Sequence, residues 1–101
     1  MKASERSTLL TVCRQMREDI QAEISKWDAA LERSVNTPEA IAVEADQKAE
    51  RLIVTYSGTL RQKDRPGLAQ KLAKGGCYDV ACFIVSRLMG IRVRDLQSKS
   101  A

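Results

Sequence analysis

Residues 77–89 read CYDVACFIVSRLM, and only Asp79, Ser86 and Arg87 among them are clearly polar. A segment of this length that is apolar nearly all round forms a helix that sits at the centre of a bundle or presents a second apolar face to another chain. Glycines bracket it, with Gly75 and Gly76 ahead and Gly90 behind, where a left-handed residue closes a helix with least strain. Just upstream, the polar turn RQKDRPG at 61–67 separates it from the rest of the chain and leads into a short helix expected at 66–74.

Farther upstream, residues 4–33 contain no Pro or Gly, and apolar side chains recur at Leu9, Cys13, Met16, Ile20, Ile24, Trp27 and Leu31 in steps of three or four. That period is one helical stripe, long enough for a coiled-coil-like seam. Arg14, Arg17, Glu18, Lys26, Asp28 and Glu32 fall largely off it. Thr37 then caps a second helix that opens on Pro38, because proline lacks an amide that the first helical turn could not use anyway. This helix is expected to run over 38–59, with Ile41, Ala45, Ala49, Leu52, Tyr56 and Leu60 at helical spacing and fraying near Gly58. The β-branched residues between 52 and 56 suggest a strand instead, yet no second strand-like segment exists to pair with it.

The expected fold is therefore all-α: a small helical bundle built on a long antiparallel helical hairpin (about 4–33 and 38–59), plus the short helix (66–74) and the apolar helix (77–89). A chain of 101 residues fits one domain, 1–101, with one modest core, and at 4% aromatic content aliphatic side chains must fill it. After Gly90 the segment IRVRDLQSKSA alternates briefly and then turns small and polar, so a flexible tail is expected over about 96–101.

No apolar run approaches the roughly 20 residues needed to span a bilayer. Arg14 and Arg17 also end the short N-terminal apolar patch before a signal-peptide core forms. Cys13, Cys77 and Cys82 are an odd set in apolar surroundings and read as free thiols of a reducing compartment. These readings point to a cytoplasmic protein with no membrane association.

Catalysis is hard to build from these residues. Histidine, the commonest general base at neutral pH, is absent, and no nucleophile-elbow, phosphate-loop, zinc-protease or calcium-loop motif occurs. Without histidine and without short cysteine spacing, no metal site and no cofactor are expected. Cys77 is the best candidate for a reactive group, since a helix N-terminus can lower a thiol's pKa, although a small packed side chain is the simpler reading. No catalytic residue is expected.

The charge is uneven. Residues 1–60 carry eight Lys/Arg against ten Asp/Glu, whereas residues 61–101 carry nine against three. A basic C-terminal half points to an acidic protein surface or a nucleic acid. The candidate contacts to a partner or a phosphate are Arg61, Lys63, Arg65, Lys71, Lys74, Arg92 and Arg94, and the candidate apolar interface or core residues are Trp27, Phe83, Val80, Ile84 and Leu88. The segment 67–89 resembles a helix-turn-helix in outline, but a recognition helix keeps a polar face for base edges, which 77–89 lacks.

The function expected first is that of a non-catalytic helical binding protein, an adaptor or inhibitor that docks on a larger protein partner such as a nucleic-acid-processing enzyme or complex, in the manner of small accessory proteins of phages and mobile elements. The alternative is direct, sequence-nonspecific DNA or RNA binding by the basic half, with a homodimer held through the long first helix. A self-assembling structural subunit is a third reading.

Overall fold

Apolar residues on nearly every side of 77–89 require neighbours on nearly every side, and the chain supplies them from its own helices. The computed structural model describes residues 2–30 and 38–97, the side chains at 28–30 and 38–41 excepted. In chain order it contains α1 (Ala3–Ala30), α2 (Pro38–Thr55), a single 3-10 turn (Gln62–Asp64), α3 (Arg65–Lys74), α4 (Gly76–Met89) and α5 (Val93–Gln97), with no strand among the described residues. The bundle is all-α.

The apolar helix α4 is the central element, packed against α1, α3 and α5. It buries Val80, Ala81, Cys82, Ile84, Val85 and Ser86. The Ser86 hydroxyl donates to the Phe83 carbonyl at 2.7 Å, so the one polar side chain inside is satisfied. Gly90 adopts φ 66° to close the helix, and the Ile91 amide reaches back to the Ser86 carbonyl at 3.0 Å.

The stripe of α1 behaves as its spacing demands: Cys13, Ile20 and Ile24 are buried and Met16 and Trp27 half-buried. On α2, Ala45, Ala49 and Leu52 are buried as expected, joined by Ile53. These two faces and residues from α3 and α4, Leu68, Val80, Ala81 and Ile84 among them, form the main core. A smaller cluster of Cys13, Cys82, Val85 and Leu96 fastens α5 to α1 and α4.

Three expectations need amendment. The two long helices are present and share one core, but they are not each other's closest neighbours: α1 lies against α4, and α2 against α3. Contact between them runs through side chains, with the Arg51 guanidinium 5.5 Å above the Trp27 ring; just past α2, burial and then the charges of Asp19 and Glu23 on α1 push the Tyr56 pKa up. Those pairings keep the antiparallel sense, while the apolar helix and α3 occupy the positions of closest approach.

Second, α2 ends at Thr55 rather than near 59. The Tyr56 carbonyl there accepts from both the Thr59 and Leu60 amides at 2.8 Å, a turn that carries Leu60 back into the core. The β-branched run Ile53, Val54, Thr55 and then Gly58 make continuation of the helix unfavourable. Third, order persists past 96: Leu96 is fully buried within α5. The extension of the first helix to 33, the cap at Thr37, the side chains of Leu31 and Ile41, and the tail at 98–101 lie outside the described residues.

Candidate partner-binding face

The turn between α2 and α3 is organised by one carboxylate. Asp64 is only 7% exposed. Its Oδ2 accepts the Arg61 amide at 2.9 Å, and its Oδ1 accepts from Nη2 of Arg87, on α4, at 3.0 Å. A buried carboxylate requires such partners, so the turn is tied to the central helix. Arg87 is held a second time, its guanidinium 5.0 Å from the centroid of Phe83, one helical turn earlier. The Lys71 ammonium lies 5.7 Å from the same ring.

Thr59, Arg61, Lys63, Asp64 and Arg87 line an open groove of ≈ 330 Å³. Arg61 and Lys63 are exposed, and their side chains carry no ion pair among the described residues. Immediately beyond Arg87, at the end of α4, Leu88 and Met89 are 57% and 55% exposed. The last turn of the central helix thus supplies one lining residue of the groove and, in the next two positions, two exposed apolar side chains.

The structure sorts the residues picked out from sequence. Arg61 and Lys63 line the groove, whereas Lys71 lies outside its lining and shares the Phe83 ring with Arg87. Arg65 does not belong to it. Its Nε donates to Asp46 Oδ1 at 2.9 Å, Nη2 pairs with Asp46 Oδ2, and Nη1 lies 2.9 Å from Glu50 Oε2, clamping α3 to α2. That last contact lacks the alignment of a hydrogen bond, and Glu50 uses its Oε1 to accept from Gln62 Nε2 at 2.9 Å. Lys74 is exposed in the last turn of α3, and Arg92 and Arg94 are exposed around the start of α5, none of them among the groove's lining residues.

Of the apolar candidates, Val80 and Ile84 are fully buried core residues, Trp27 and Phe83 are half-buried under cations, and Leu88 faces solvent. Sequence reasoning passed over Arg87 and Asp64. The signal for Arg87 was its place four residues after Phe83 on an otherwise apolar helix.

Cys77 is not the activated thiol that its place near a helix N-terminus allowed. Burial pushes its pKa up, against the opposing pull of Lys48 and Arg17, and the thiol donates to Gln21 Oε1 at 3.3 Å. Burial, reinforced by neighbouring Cys82, pushes the Cys13 thiol up to about 12. Both are packing groups. Among the described residues there is no cluster of three or more metal-ligating side chains and no helix long and apolar enough to cross a membrane. Compared with family models, curated proteins and solved structures, the chain matches none.

Proposed function

We propose that this chain is a non-catalytic helical binding protein, an adaptor or inhibitor that docks on a larger protein partner, such as a nucleic-acid-processing enzyme or complex served by an accessory protein of phage or mobile-element type. The observation that carries the reading is the groove at the end of α4, where Arg87 stands with Arg61 and Lys63, the last two without an ion pair among the described residues, while Leu88 and Met89, which follow Arg87 in sequence, are exposed. Arginine and methionine are enriched in protein interfaces, and an apolar contact beside a polar rim is their usual build. The absence of histidine supports a binding role over a catalytic one.

Direct, sequence-nonspecific binding of DNA or RNA is the second reading. Its support is the gathering of Lys71 and Arg87 around Phe83, next to Arg61 and Lys63, since cations with an aromatic ring suit a phosphate backbone. Affinity capture from a lysate, with and without nuclease, separates the two. A protein retained after nuclease and lost with Arg61→Glu and Lys63→Glu together, or with Leu88→Ser and Met89→Ser together, is the expected result. Capture that disappears with nuclease would move the assignment to nucleic acid.

A further inference from the structure

We propose that the groove beside α4 receives an acidic segment of a partner protein, one that carries aspartate or glutamate for the groove and aliphatic side chains spaced along it. The inference rests on the protein-docking reading above and names the chemistry of the partner.

Charge is the first argument. Among the described residues that line the groove the one carboxylate, Asp64, is buried and already accepts from the Arg61 amide and from Arg87, while Arg61 and Lys63 project without ion pairs among the described residues. The lining therefore offers unneutralised positive charge. An anion entering it meets little competition from the described residues.

Arg87 supplies the geometry. Asp64 and the Phe83 ring hold its guanidinium in place, yet 48% of the side chain is exposed. One amino group makes the bond to Asp64, and a guanidinium has five N–H donors, so a planar donor edge remains for an incoming carboxylate. Because the side chain is already ordered, binding need not freeze it again.

The apolar tip selects among anions. Leu88 and Met89, which end the same helix and are more than half exposed, lie outside the groove's lining, so they reward aliphatic side chains elsewhere along the same docked segment and offer nothing to a phosphodiester. Phe83 argues the same way. Two cations already stand over its half-buried ring, so it is not a free platform on which a nucleobase stacks.

The test is fluorescence anisotropy on the full chain with three labelled probes: a glutamate-rich peptide with spaced leucines, the same peptide with glutamine for glutamate, and an oligothymidylate of equal net charge. Saturable binding of the first probe alone is expected. Arg61→Glu with Lys63→Glu should weaken it by at least about tenfold, as loss of charge-assisted contacts does. The charge-matched control, Arg14→Glu with Arg17→Glu on the exposed face of α1, should change it less than about twofold. Arg87→Lys keeps the charge without the planar fork and should weaken binding as well.

Equal losses from the groove and control variants would show a response to net charge alone and overturn the proposal. Indifference to glutamine replacement would overturn it too, as would tighter binding of the oligothymidylate. The docking reading fails on a different result: capture from the lysate that disappears with nuclease.

Discussion

Arg61, Lys63 and Arg65 occupy alternate positions in one polar turn and look alike in sequence, yet the fold gives them different work. Arg65 turns back to Asp46 and Glu50 on α2, whereas its two neighbours face the groove. Nothing local could have separated them, because the carboxylates that claim Arg65 lie on another helix. Arg65→Lys should lower the thermal midpoint because an ammonium cannot reproduce the fork, and added salt should shrink the difference. Cys13 makes a second residue-level prediction. Its thiol is raised from the ordinary 9.0 to about 12, so the folded state retains a proton that the unfolded chain releases. The resulting stability is complete below pH 9, and it is lost as pH rises from there towards 12. Urea midpoints measured from about pH 8 to about pH 10.5 should fall, and Cys13→Ala should flatten that part of the decline. In the core, Ile84→Ala should cost about 2–5 kcal/mol in urea unfolding, because a fully buried side chain leaves a cavity.

Helix identities were legible and helix neighbours were not. The apolar run expected at 77–89 is α4, Gly76–Met89, and the stripe from Cys13 to Trp27 faces inward as its spacing requires. A stripe states that one face will be buried without naming what covers it, so the direct pairing expected of the two long helices gave way to α1 on α4 and α2 on α3. The early end of α2 was foreshadowed by Gly58 and the β-branched residues before it, but the inward pull of Leu60 is a tertiary effect. The groove was half legible. Its cations Arg61 and Lys63 lay in an obvious basic turn, while Arg87 and Asp64 acquired their roles only when α4 met that turn. At this scale the cap of α4 is the test: Gly90→Ala places a β-carbon on a residue at φ 66° and should cost about 1 kcal/mol, read from the denaturation midpoint.

As a whole the molecule is elongated, 45 × 27 × 21 Å with a Cα radius of gyration of 14.2 Å, against about 13 Å for a compact chain of this length. Most of the long axis is α1, whose 28 residues span about 42 Å at a rise of 1.5 Å each. The coiled-coil-like seam read in α1 is used inside the chain, where Cys13, Ile20 and Ile24 pack into the two cores. A homodimer through that seam would have to unpack them, so light scattering is expected to return the 11.2 kDa monomer. The placement of α4 also bears on biosynthesis. Because α4, against which α1, α3 and α5 pack, follows α1 and α2 in sequence, the first two helices emerge from the ribosome with greasy flanks before that cover exists. Nascent chains halted before Gly76 should be protease-sensitive and held by chaperones, and resistance should appear abruptly once α4 and α5 have cleared the exit tunnel.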